Sequence, residues 1–188
     1  CVYTAAGTDP ERNFKEKYGE REKMRILKQR KQEDSYVQLA RKTIEVYVRT
    51  GERIEMPEGM PEEMYSRRAG VFVSIKEEGR LRGCIGTIQA VNSSIAQEII
   101  DNAISAASRD YRFSPIEEEE LELLSVSVDV LGNTEKIESP DKLDVRRYGV
   151  IVTKGRKRGL LLPNLEGIDT VEEQIAIAKR KAGIGERE

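Results

Sequence analysis

Histidine is missing from this sequence, and so is tryptophan. The first absence excludes the most chemistry: no Ser-His-Asp triad, no Cys-His dyad and no histidine-ligated zinc can be built. Cysteine is scarce as well. Cys1 and Cys84 are the only two, too few for a disulfide framework and too far apart for a CxxC pair. That usage suits a reducing, cytoplasmic setting. No run of about 18 apolar residues occurs, so no membrane span is expected, and no charged-then-apolar leader marks a signal peptide. Aromatics make up 5% of the chain and the net charge is −2, so any affinity for nucleic acid must come from a local patch. With no His, no cluster of metal ligands and no phosphate-binding glycine loop, neither metal nor cofactor is expected.

What is abundant is charge. Asp, Glu, Lys and Arg make up 35% of the residues, against about 25% in ordinary soluble domains. Together with the missing His and Trp, this leans towards a thermophilic source. A length of 188 residues suits one domain with an appendage, or one domain with two lobes. The chain opens on Cys1 rather than Met and is expected to be a fragment or processed form.

Residues 10–33 are mostly charged, and their few apolar residues define no wide stripe to dock on a core. Residues 1–33 therefore read as a solvated extension or linker, with a basic arm gripping a partner as the alternative. The globular region, 34–188, begins at the N-cap pair Asp34-Ser35, before a helix ending at Gly51. The segment "IEMPEGMPEEMY" reads as a loop. "GVFVSI" and "RLRGCIGTI" around the turn "KEEG" make a hairpin. "SIAQEIIDNAISAAS" is a helix opened by a Ser94/Gln97 capping box. Leu124, Val126, Val128 and Val130 alternate with polar residues as a strand with one buried face. A second hairpin, around "KGRKR", precedes a helix with a Thr170/Glu173 capping box and a stop at Gly183. Hairpins interleaved with helices predict α+β architecture with an antiparallel sheet, the 80–88 strand lying centrally in it and the 94–108 helix packing on it.

Three groups of residues could carry chemistry. In "RLRGCIG", strand alternation puts Arg82, Cys84 and Gly86 on one face, where a guanidinium two residues away favours a thiolate. Gly83 and Gly86 permit close approach by another backbone or a ligand. The competing reading makes Cys84 a small core filler. In "SRDYRF", Asp110 between Arg109 and Arg112 is either a salt-bridged elbow or, with Tyr111, the lining of a polar pocket. Lys154, Arg156, Lys157 and Arg158 form a basic hairpin tip that is either solvated or a phosphate contact.

"LRGCIGT" (81–87), "AASRDYRFSP" (106–115), "GVIVTKGRKRGLLLP" (149–163) and "GIDTVEEQIAIAKRKAGI" (167–184) resemble, in order, the motifs of the AMMECR domain family, also called AmmeMemoRadiSam system protein A. The resemblance covers the chain from about residue 34 onward. It implies a two-lobed α+β fold and carries no established reaction. It also implies Memo-like and radical-SAM proteins as partners in a modification pathway acting on RNA or protein, with Cys84, Arg82, Asp110 and Arg112 as site residues. Three functions follow: a modifying enzyme with Cys84 as nucleophile or thiolate ligand, a non-catalytic interaction or scaffold module, and weak nucleic-acid contact through the 154–158 loop.

Overall fold

A computed structural model describes residues 14–165 and 167–185, with backbone alone for 14–16. Cys1 and the rest of residues 1–13, the first part of the expected extension, lie outside the described residues, as do Glu166 and residues 186–188. The chain divides into two compact units, Cys1–Gly132 and Asn133–Glu188.

The first unit holds α1 (Phe14–Arg30), α2 (Ser35–Thr50), the short α3 (Glu62–Ser66), β1 (Val71–Glu77), β2 (Arg80–Gly86), α4 (Ile95–Ser108) and β3 (Leu124–Val130), with a 3-10 turn at Glu118–Leu123 before β3. Its sheet is antiparallel in the order β2-β1-β3. This corrects the expected placing of the 80–88 strand. β1 is central and β2 is an edge, because β3 returns to the side of β1 that the hairpin leaves open. The hairpin turn places Glu78 and Gly79 both at positive φ, the geometry of the tightest two-residue connection.

Val71, Val73 and Ile75 of β1 face α4 and are fully buried with Ile95, Ile99, Ile100 and Ala103. α2 adds Leu39, Ala40 and Ile44 to the same core. Asp34 caps α2 through the Val37 N–H at 2.9 Å, and Gly51 closes it in the left-handed conformation. Part of the expected loop at 54–65 is helical instead: α3 forms one turn and buries Met64. Ser94 caps α4, but only half of the expected capping box exists. Gln97 turns its side-chain oxygen to Ser93 rather than to the Ser94 N–H.

Residues 14–30, read from sequence as solvated extension, are a helix. α1 needs no wide apolar stripe because Ile26 is the one buried residue among its described side chains, and polar ties do the rest. Lys23 pairs with Glu122, while Arg30 donates to the Leu121 carbonyl and pairs with Glu45.

The second unit is a hairpin, β4 (Val150–Lys154) with β5 (Lys157–Leu161), packed on α5 (Val171–Ala182). The Thr170/Glu173 capping box is complete and Gly183 ends the helix in the left-handed conformation. The architecture is α+β with antiparallel sheets, as predicted, though the described residues form two sheets rather than one.

One device recurs in both units. A Cβ on Gly83 would lie 2.2 Å from the carbonyl oxygen of Ala106 in α4, and one on Gly159 would lie 2.1 Å from that of Ala178 in α5. Each glycine lets a helix backbone close on a strand. Gly83→Ala must push two backbones apart and is expected to destabilise the protein by at least about 1–3 kcal/mol, read as a lower urea midpoint.

Candidate functional site

The strand alternation that buries Val73 and Ile75 sends their neighbour Ser74 to the opposite face of the sheet. Cys84, paired with Ser74 across the hairpin, shares that face. It is half-buried and lies on the sheet face opposite the α4 core. The Ser74 hydroxyl donates to its Sγ at 3.2 Å. The flanking glycines serve packing: Gly83 meets α4, and a Cβ on Gly86 would strike the ring of Phe72 at 2.3 Å.

An edge strand offers unpaired backbone groups, and at Cys84 side chains take them. Its N–H donates to Asp110 Oδ2 at 2.9 Å, and its carbonyl accepts from Arg112 Nη2 at 3.2 Å. Antiparallel partners alternate between bonded and unbonded pairs. Ser74 and Cys84 therefore form an unbonded pair, with the Cys84 peptide groups turned outward and the two side chains close together.

The clasp is built by the turn after α4. The Arg109 N–H still bonds the Ser105 carbonyl, the Phe113 N–H bonds that of Asp110, and the Ile116 N–H returns to that of Ala107. Asp110 is thereby buried and aimed at β2, its side chain only 2% exposed. Arg112 donates to it through Nε at 2.9 Å and Nη2 at 2.6 Å. This guanidinium holds the Asp110 carboxyl down at about 2; burial opposes it, and the Cys84 and Arg112 N–H groups assist.

The sequence-predicted residues therefore separate. Asp110 and Arg112 meet at Cys84, but at its backbone. Arg82 does not face the sulfur. Its guanidinium donates to both Glu120 oxygens (2.6 and 2.9 Å) and to the carbonyls of Ser114 and Pro115, tying β2 to the 114–120 segment. Burial raises the Glu120 carboxyl, yet Arg82 and the Glu117 N–H outweigh it and leave it below its ordinary value. Arg109 and Tyr111 point to solvent.

Sequence reasoning missed a buried polar group on α4. Glu98 accepts from the Thr87 hydroxyl at 2.5 Å and from the N–H groups of Val91 (3.0 Å) and Asn92 (2.8 Å), while Asn102 donates to the Val71 carbonyl at 3.0 Å. Its signal was a polar pair four residues apart within the helix's apolar sector.

In the second unit, Arg156 and Arg158 are exposed at the hairpin tip. Lys157 instead donates to the Gly183 carbonyl, where a cation suits the α5 C-terminus. Among the described residues no group of three or more His, Cys, Asp or Glu could hold a metal ion, and no helix is long and apolar enough to cross a membrane.

The folded-state depression of Asp110 adds stability that is fully present above the unfolded carboxyl range, near 3.8, and is lost as pH falls through about 2. Asp110→Asn is expected to cost about 2 kcal/mol at neutral pH. Urea unfolding from pH 7 to pH 2 should show that difference shrinking as the wild-type carboxyl protonates.

Comparison with known proteins identifies the family. The sequence model of the AMMECR1 family matches residues 37–188. A Thermotoga maritima protein is 53% identical over 155 residues, covering 82% of this chain and 89% of its own. A Clostridium acetobutylicum protein is 52% identical over 85% of this chain, which spans only 34% of that protein's length. An uncharacterized protein from Pyrococcus horikoshii, PH0010, has a crystal structure that superposes with a TM-score of 0.74 at 38% identity, covering 82% of this chain and 83% of its own. Match, identity and shared architecture agree: the chain belongs to the AMMECR1 family.

Proposed function

We propose that this domain works in a macromolecule-modification pathway beside Memo-like and radical-SAM proteins, with the Cys84 sulfur as its reactive centre. One observation carries the reading. The thiol sits on the sheet face away from the core, and the Asp110–Arg112 pair fixes its backbone at both N–H and carbonyl. The Ser74 hydroxyl on Sγ fixes the side chain's direction. A clasp of this kind fixes a nucleophile's position before substrate arrives.

A second reading, the non-catalytic docking module, draws on a different observation. Arg82, Asp110 and the inner face of Arg112 are all spent on structural bonds. The third, weak nucleic-acid contact at 154–158, keeps exposed Arg156 and Arg158, while Lys157 is drawn into capping α5.

Iodoacetamide alkylation of the folded protein separates the first two, using Cys1→Ser so that Cys84 is the sole thiol. The reactive-centre reading expects modification of the native protein, and loss of pathway activity in Cys84→Ser. A native thiol that never reacts, with Cys84→Ser still binding a purified Memo-like or radical-SAM protein as well as wild type, would leave the docking module.

A further inference from the structure

Tyr111 is 94% exposed, yet it stands on one of the most firmly tied turns of the first unit. Its neighbours on both sides are anchored: Asp110 is buried against β2, and Arg112 is held by two bonds to Asp110 and one to the Cys84 carbonyl. Those bonds use Nε and Nη2 of Arg112, on a side chain that is still 42% exposed. Arg112 also lies 5.3 Å from the Phe113 ring centroid, which further restricts it. Arg109 is exposed, and no described residue bonds its guanidinium. The turn thus presents an uncovered aromatic ring with an arginine on either side of it in sequence, one of them already immobilised.

We infer that the 109–112 turn binds single-stranded nucleic acid, with a base stacked on Tyr111 and adjacent phosphates on Arg109 and Arg112. The inference rests on the reading of Cys84 as the functional centre and names the substrate class for it, since Arg112 touches both the turn and Cys84. Stacking on an open ring beside a cation is how proteins hold unpaired bases of any sequence. An acidic peptide would use the guanidiniums and leave the ring without a role. The fixed Arg112 fork has lost its rotamer freedom before the ligand arrives, so little entropy remains to be lost on binding. Because Asp110 neutralises much of Arg112's charge, the electrostatic contribution is small and the ring carries most of the affinity.

The test is fluorescence anisotropy of a labelled oligouridylate of about ten nucleotides, with the full chain carrying Arg156→Glu and Arg158→Glu so that the hairpin tip is silent. Wild type at 109–112 is expected to bind at low salt with a log–log salt slope between about −0.7 and about −1.4, the first for the phosphate on Arg109 and the rest for the partly neutralised Arg112. Tyr111→Ala should bind about 5- to 150-fold more weakly, Tyr111→Phe within about twofold of wild type, and Arg109→Ala with a slope shallower by about 0.7. Tyr111 is a surface residue, so these variants fold. Alkylation at Cys84 and oligonucleotide binding at Tyr111 are read separately. A thiol inert to alkylation beside intact oligonucleotide binding would therefore remove the reactive-centre reading and keep this one. No binding at low salt, or equal binding by Tyr111→Ala, overturns the inference. So does capture of a polyglutamate peptide, but not of the oligonucleotide, in a Tyr111-dependent way, which would assign the turn to an acidic protein partner.

Discussion

Asp110 is buried where α4 gives way to a turn, and a carboxylate out of water is costly unless donors surround it. Arg112 and two backbone N–H groups are those donors. Because one of the N–H groups belongs to Cys84, satisfying the carboxylate also fixes the open edge of β2. The same Arg112 then reaches the Cys84 carbonyl. A single ion pair thereby joins the end of a helix, an exposed turn and the edge strand that carries the thiol. Arg82 takes no part in that pair, but it secures the same strand to the 114–120 segment.

The two glycines beside Cys84 are part of the same construction. Gly83 brings the α4 backbone against β2, and this closeness puts the turn after α4 within reach of the strand. Gly86 accepts the Phe72 ring across the hairpin. The signature around the thiol is thus largely a packing solution, and its consequence is a sulfur held in one place on the sheet face opposite the core.

Much of this was legible in the sequence. Period-two runs and capping residues located the strands, α2, α4 and α5, because each is decided within a few neighbours. The order of strands was not, since alternation reports which face is buried and not which strand lies alongside; β1 took the centre that β2 was expected to hold. α1 escaped because one buried Ile26 and long-range ion pairs leave no periodic trace. At the site, the charges of "SRDYRF" announced an elbow, and Arg112 proved to be the arm that closes it. That Asp110 would meet a backbone N–H 26 residues earlier is a tertiary fact that local pattern cannot carry. Arg82 misled for the same reason: its partners lie more than 30 residues ahead.

The clasp can be tested at one atom, the Cys84 amide hydrogen, by hydrogen exchange at neutral pH. It lies on the unpaired edge of β2 and would exchange readily if only the sheet protected it. The account predicts slow exchange in wild type, as for the amides of central β1, and marked acceleration in Asp110→Ala while the β1 amides stay protected. Fast exchange in the wild type, or unchanged protection in Asp110→Ala, would contradict it.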